Sequence, residues 1–338
     1  MANKIRVAIN GFGRIGRQAF KVALEKKGIE VVAINDLADI KSLAYLLKYD
    51  SVYGRYQKKV SVGGGGLLVN GKKILVFSEK EPKKLPWKKM QVDVVLECTG
   101  FFTDASGAGQ HLKAGAKKVI ISALGKEDIK QTLVLGTEDT RKRINEGKII
   151  SNASCTTNCI APVMQVLENV FGIEKALLTT SHAYTVSQGL VDGPNHKDFR
   201  EGRAAALNQV PAVTGAAKAV SRVIPAMAGI FDGIAIRVPV PCGSISDITC
   251  LLKKTVTVEQ VNSAFRRAQK QPLFKNILAV SEEPLVSSDI VGDPHSAIVD
   301  LSLTKVVGGN LVKVMAWYDN EWGYANRLVE LAALVGKK

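Results

Sequence analysis

The sequence predicts two domains: an α/β domain built on a doubly wound parallel sheet, then an α+β domain with a mainly antiparallel sheet. Three observations carry this. Strand-like and helix-like segments alternate through the first half, a glycine-rich turn follows the first strand, and after Cys155 the rhythm changes to long strands with in–out alternation. A chain of 338 residues is long enough for two cores, and the boundaries expected are 1–154 and 155–320, with a C-terminal helix at about 321–338 packing back on the first domain.

In order, Ile5–Asn10 reads as a short strand, Arg14–Lys27 as a helix stopped by Gly28, and Val31–Asn35 as a second strand. The segment 62–76, "VGGGGLLVNGKKILV", carries an Asn70-Gly71 turn and predicts a hairpin inserted in the first domain. The compact apolar runs 93–100 and 117–123 read as buried parallel strands, with a short helix at 104–115 between them. The strand "KIISNAS" then leads into a helix, "TTNCIAPVMQVLENVFG", and "KALLTTSHAYT" is a strand ending near His182. Residues 186–203 show little periodicity, and loops of that length in compact domains are usually functional or meet a partner. Alternating strands follow in "GIAIRVPVP", "ITCLLKKTV", "AIVDLSLTKVV" and "LVKVMAWYD", and "YANRLVELAALVGKK" reads as an amphipathic helix.

Composition narrows the class. Hydrophobic content of 46% and charged content of 23% are those of a globular protein, and no apolar run has membrane-spanning length. The start runs directly into a strand, which leaves no room for a secretory leader. Five scattered cysteines, an odd number, point to reduced thiols and a cytoplasmic setting. The net charge of +15 suits anionic ligands, yet the lysines are dispersed among acids and form no basic stripe with aromatics between. Nucleic-acid binding is therefore not the expected main role.

The turn "INGFGRIGR" supplies Gly11-x-Gly13-x-x-Gly16 between a strand and a helix. Gly11 permits the tight turn, Gly13 lets backbone approach a pyrophosphate, and Gly16 lets helix and strand pack closely. The second strand ends at Asp36, twenty residues after Gly16, where an acid accepts hydrogen bonds from an adenosine ribose. The pattern predicts a Rossmann-type dinucleotide-binding domain. Asp36 repels a 2′-phosphate, so NAD is favoured, with NADP left open as a second cofactor.

Residues 152–159, "NASCTTNC", hold two cysteines four apart. The spacing is wrong for a zinc knuckle and no second Cys/His pair complements it, so no metal is expected. A disulfide along one helix would be strained. Cys155 stands where a helix begins, and free N–H groups with the helix dipole favour a thiolate there. Cys159 falls one turn on, toward the apolar side, where a thiol is usually packing. Of four histidines, His182 at a strand end is the best base for Cys155; His111 falls in a first-domain helix, and His196 and His295 in polar loops.

The motifs "INGFGRIGR", "ECTGFF", "SNASCTTNC", "SHAYT", "TGAAKAV", "RVPVP" and "WYDNEWGY" occur in this order along the whole chain. Together they resemble phosphorylating glyceraldehyde-3-phosphate dehydrogenases. The resemblance implies NAD-dependent oxidation of glyceraldehyde 3-phosphate to an acyl phosphate, through a thiohemiacetal and an acyl-thioester on Cys155, with His182 as the base. It implies substrate-phosphate contacts from Thr185 and Arg237. It implies a second site, for inorganic phosphate, from Ser154, Thr156, Thr214 and Gly215, with Arg200 assisting. For the cofactor it implies Asn10, Arg14, Ile15, Lys80, Ser122 and Asn320, the last on the nicotinamide carboxamide. A homotetramer is implied too.

The chain departs from the family at "SALGKED" and "LGTED", and its 186–203 loop carries the Gly-Pro form rather than Leu-Pro. Those departures bear on loop geometry and cofactor choice. Erythrose-4-phosphate dehydrogenase stands as the alternative within the class, and a nucleic-acid- or protein-binding module as the alternative outside it.

Overall fold

In the computed structural model the described residues are 4–196 and 198–337. The first three residues, Lys197 within the 186–203 loop, and the last residue of the expected C-terminal helix lie outside them. The chain groups into two compact units. The first comprises the chain up to Leu133, Arg143–Ala153, and the segment from Ala325 onward; the second comprises Val134–Lys142 and Ser154–Tyr324.

The first unit contains β1 (Ile5–Asn10), α1 (Arg14–Glu25), β2 (Ile29–Asn35), α2 (Ile40–Lys48), the short pair β3 (Tyr49–Asp50) and β4 (Gly54–Arg55), and β5 (Val60–Gly63). It continues through β6 (Gly66–Val69), β7 (Lys72–Phe77), β8 (Val94–Glu97), α3 (Ala105–Lys113), β9 (Lys118–Ile121) and β10 (Ile149–Ser151). Its eight-stranded sheet has the order β10-β9-β8-β1-β2-β7-β6-β5. The run from β10 to β7 is parallel, while β6 and β5 add an antiparallel edge. The expected hairpin at 62–76 is thus part of a three-stranded meander that extends the main sheet. Asn70 and Gly71 both adopt positive φ, 47° and 80°, as the tight turn between β6 and β7 requires. A buried cluster including Ala8, Ala33, Trp87, Val95, Val119 and Ile121 fills one face.

α1 buries Gly16, Ala19, Phe20 and Ala23, and the rings of Phe12 and Phe20 meet edge to face at 5.5 Å. The register sets Asn10 beside Asn35 on one side and Glu97 on the other, at the ends of β1, β2 and β8. Parallel strands bring their C-terminal ends to one edge, and ligands bind α/β sheets there.

The second unit contains α4 (most of Glu138–Arg143), α5 (Cys155–Phe171), β11 (Ile173–Ala183), β12 (Val210–Val213), α6 (Ala216–Val223), β13 (Phe231–Val238) and β14 (Ser244–Leu252). After these come α7 (Val258–Ala268), β15 (Leu278–Ser281), β16 (Ala297–Val307), β17 (Leu311–Tyr318) and the start of α8 (Trp322–Val335). The seven-stranded sheet has the order β12-β13-β11-β14-β17-β16-β15, antiparallel except for β13-β11 and β16-β15. α5 packs on β14, β16 and β17 and buries Ile160, Val163, Met164 and Leu167. Within 186–203 the only helix or strand among the described residues is a short 3-10 helix, Phe199–Gly202. α8 corrects the amphipathic reading: from Tyr324 to Val329 every residue is buried, so the helix has no wide polar face.

Candidate active site

In the first unit the glycine turn is shaped as its spacing requires. Gly11 has φ +90°, and a Cβ there would lie 2.8 Å from the Cys98 carbonyl carbon. A Cβ on Gly16 would lie 2.0 Å from the Gly11 carbonyl oxygen, whereas one on Gly13 would meet nothing within 4 Å. Gly13 therefore faces open space at the start of α1, the end of a helix toward which its first-turn N–H groups point. The Arg14 guanidinium is turned away to Asp50 at 2.8 Å, so this position offers backbone rather than side-chain charge.

Asp36 is pinned by backbone: Phe12 N donates to Oδ2 at 2.6 Å and Ala38 N to Oδ1 at 2.9 Å. Both oxygens keep lone pairs for further donors. Lys80 is exposed, and Ser122 is half-buried with its N–H donating to Glu97 O at 2.9 Å. The donor set and the open space at Gly13 fit a dinucleotide.

Beneath this edge lies a buried polar network that sequence reading missed. Asn10 Nδ2 donates to Glu97 Oε2 at 2.6 Å, and Asn35 Nδ2 donates to Asn10 Oδ1 at 2.7 Å. Trp87 Nε1–H donates to His111 Nδ1 at 3.0 Å, which places the ring proton on Nε2, facing Glu97 Oε2 at 2.9 Å. The N–H and the hydroxyl of Thr99 both donate to Glu97 Oε1, the N–H at 2.8 Å. These donors converge on one buried side chain and fix Asn10 between Glu97 and Asn35. The signal in the sequence was a charged residue, Glu97, inside an otherwise apolar strand.

The second unit assembles the thiol site. Cys155 is the first residue of α5, and Ser154 is its N-cap, with Oγ accepting from Thr157 N at 3.0 Å. His182 comes from β11, and Cys155 Sγ stands 3.3 Å from His182 Nε2. The parallel pairing of β11 with β13 sets His182 beside Arg237, whose Nη1 is 2.8 Å from His182 Nδ1. His182 Nδ1 also lies 2.6 Å from the Ala183 carbonyl. Cys159 is fully buried, with Sγ directed to Ala316 O at 3.8 Å.

Electrostatics refine the expected thiolate. Burial pushes the Cys155 thiol up, against the Arg237 cation and the N–H and hydroxyl of Thr156, which favour the thiolate. Burial, followed by the Arg237 cation, lowers His182 to about 4. The helix N-terminus acts in the expected direction, and desolvation opposes it.

The other predicted residues divide. Asn320 Oδ1 accepts from Ser244 Oγ at 2.9 Å, and that hydroxyl accepts from Ala183 N at 3.1 Å, which ties Asn320 to the neighbour of His182. Thr156 Oγ1 pairs with Tyr318 Oη at 3.0 Å. Thr185 pairs with Ser187 at 2.9 Å, and Thr214 Oγ1 accepts from Ala216 N at 3.2 Å beside Gly215, the N-cap of α6. Arg200 is exposed on the 3-10 turn, its N–H donating to Asp198, and it shares no hydrogen bond with the Cys155 group among the described residues. Among the described residues no group of three or more His, Cys, Asp or Glu is arranged to hold a metal ion.

A parallel sheet with this glycine turn and acid at its edge, joined in one chain to a mainly antiparallel unit with a thiol–imidazole pair, defines a dinucleotide-binding dehydrogenase. The glyceraldehyde 3-phosphate dehydrogenase NAD-binding domain family matches residues 5–105, and the C-terminal domain family of the same enzymes matches 154–320. The chain is 51% identical over 335 residues to glyceraldehyde-3-phosphate dehydrogenase 1 of Bacillus subtilis, covering 99% of each. Identity is 52% over 335 residues to the Geobacillus stearothermophilus enzyme, with 99% of each covered. To that of Mycobacterium avium it is 54% over 341 residues, covering 98% of this chain and 99% of the relative. The chain belongs to the glyceraldehyde-3-phosphate dehydrogenase family.

Proposed function

We propose that this chain oxidises glyceraldehyde 3-phosphate with NAD and inorganic phosphate, giving 1,3-bisphosphoglycerate through a covalent intermediate on Cys155. The observation that carries the reading is the 3.3 Å contact between Cys155 Sγ and His182 Nε2 at the head of α5. Sγ adds to the aldehyde carbon while His182 Nε2 takes the thiol proton and passes it to the new alkoxide oxygen. Bound NAD supplies the hydride acceptor. As the hydride leaves, Nε2 takes the hydroxyl proton and the thiohemiacetal becomes an acyl-thioester. A phosphate oxygen then attacks the acyl carbon, the C–S bond breaks, and the thiolate recovers its proton from the imidazolium.

Base action requires Nδ1–H toward Ala183 O, leaving Nε2 bare, whereas a hydrogen bond from Arg237 requires Nδ1 bare. The phosphate of the substrate gives Arg237 a better acceptor and frees Nδ1 for the productive tautomer. Thr185 is the partner donor for that phosphate; Ser154, Thr156, Thr214 and Gly215 serve the attacking one, with Arg200 assisting.

Asp36 supports NAD over NADP, because its carboxylate is held in place by two backbone N–H groups and would oppose a 2′-phosphate. The exposed apolar side chains Val186, Phe199 and Val213, at 98%, 89% and 91% exposure, support assembly with further copies of this chain. The number four comes from the resemblance alone. Among the described residues no helix is long and apolar enough to cross a membrane, and all five cysteines are free, which supports a reducing, cytoplasmic setting.

Initial rates with NAD and with NADP, each with and without inorganic phosphate, test the reading. NADH formation that depends on phosphate, and its loss in Cys155→Ser, are expected. Full turnover in Cys155→Ser would sink the mechanism. Turnover independent of phosphate with erythrose 4-phosphate would favour the hydrolytic relative.

A further inference from the structure

Four buried hydroxyl groups in the second unit form a chain of which the reaction as derived uses Thr156 alone. Tyr318, at the end of β17, is 1% exposed. Its Oη lies 3.0 Å from Thr156 Oγ1 and 2.9 Å from Thr180 Oγ1. Thr180, on β11 two residues before His182, has Ile245 O at 3.2 Å and Ser246 Oγ at 3.4 Å. The Tyr318 ring also stands edge to face with the His182 imidazole, centroids 6.0 Å apart. Thr180 and Ser246 are themselves fully buried, so their hydrogen bonds are made within the protein.

Each hydroxyl carries one proton, and just two orderings make both of the Tyr318 hydrogen bonds at once. In the first, Thr180 donates to the Ile245 carbonyl, Tyr318 donates to Thr180, and Thr156 donates to Tyr318. Thr156 then shows only a lone pair to anything beside Cys155. In the second, Ser246 donates to Thr180, Thr180 to Tyr318, and Tyr318 to Thr156, which leaves the Thr156 proton free to point outward. The heavy atoms need not move and no proton is gained or lost. An anion beside Thr156 selects the second ordering, because only that one offers it a donor.

We infer that Tyr318 is a positioning residue for the phosphorolysis step, holding Thr156 and turning its hydroxyl into a donor for the attacking phosphate. The inference rests on the proposed place of Thr156 in the inorganic-phosphate site. It assigns Thr180 a part too, as the relay that lets Tyr318 donate toward Thr156. The substrate phosphate, held by Thr185 and Arg237, is outside this chain of hydroxyls.

Tyr318→Phe keeps the ring and removes only the hydroxyl, and Thr180→Val and Thr180→Ser remove and keep the relay. In the full-length enzyme the KM for inorganic phosphate should rise about tenfold in Tyr318→Phe and in Thr180→Val, the size of one lost hydrogen bond to an anion. The KM for glyceraldehyde 3-phosphate and the pre-steady-state NADH burst, which precedes phosphate attack, should stay within about twofold, since no hydrogen bond to the substrate is lost. Thr180→Ser should keep the wild-type phosphate KM. An unchanged phosphate KM in Tyr318→Phe, or a burst that slows as much as the steady state, would overturn the assignment. A wild-type enzyme that makes NADH without phosphate would overturn the phosphorylating reading, and this inference with it.

Discussion

Replacing Gly13 with alanine should separate the two tasks of the glycine turn. Gly13 sits at φ −71° and ψ −157°, an extended conformation that alanine adopts, and a Cβ there meets no protein atom within 4 Å. Folding should therefore be unharmed, and the stiffer unfolded chain should add about 0.5 kcal/mol of stability. The same Cβ points into the space that a pyrophosphate needs, in front of the first-turn N–H groups. Losing one or two charge-assisted hydrogen bonds costs about 3 kcal/mol, or ~100-fold in the Kd for NAD. Gly16→Ala is the contrast, since its Cβ would lie 2.0 Å from the Gly11 carbonyl oxygen. That clash is with backbone, so helix and strand must separate, at a cost of about 3 kcal/mol. Calorimetric titration of NAD and thermal melts of both variants decide the matter. A Gly13→Ala protein that melts like the parent and binds NAD within about threefold would refute the placement of the phosphates, because a methyl group in their space should cost about two decades in Kd.

Other outcomes follow from the thiol site. His182→Asn should slow alkylation of Cys155 at neutral pH by about tenfold or more; an unaltered rate would remove His182 as the thiol's partner. His182 titrates near 4 when folded against an ordinary 6.5, so the unfolded chain binds more protons between those values. Stability should accordingly rise with pH across that window and be complete above it, by up to about 3 kcal/mol. Denaturant melts of His182→Asn should show a flatter acid limb, and a limb as steep as the parent's would argue against this origin. Arg237→Gln should raise the KM for glyceraldehyde 3-phosphate by about 100-fold while leaving that for NAD unchanged. The same variant loses the cation beside Nδ1, so the His182 titration, followed by NMR, should move upward.

Local chemistry determined much of this protein. The glycines at 11, 13 and 16 and the acid at 36, set between a strand and a helix and at the end of the next strand, define a phosphate turn by spacing and context together. The cysteine heading "CTTNC" is distinguishable from its neighbour because it stands at the helix N-terminus, while Cys159 lies one turn further along the same face, inside the core. Tertiary structure decided what depends on distant partners. His182 and Arg237 are 55 residues apart, and only the register of β11 on β13 makes them neighbours and sets their competition for Nδ1. The Glu97–His111–Trp87 network and the Tyr318 hydroxyl chain were invisible for the same reason, their hydrogen bonds spanning 14 to 162 residues. α8 looked amphipathic because periodicity records where polar residues fall, not whether the fold leaves any face to water. The upward shift of the Cys155 thiol also belonged to the fold. A helix N-terminus is legible in sequence, but the burial that opposes it is a sum over residues drawn from the whole unit.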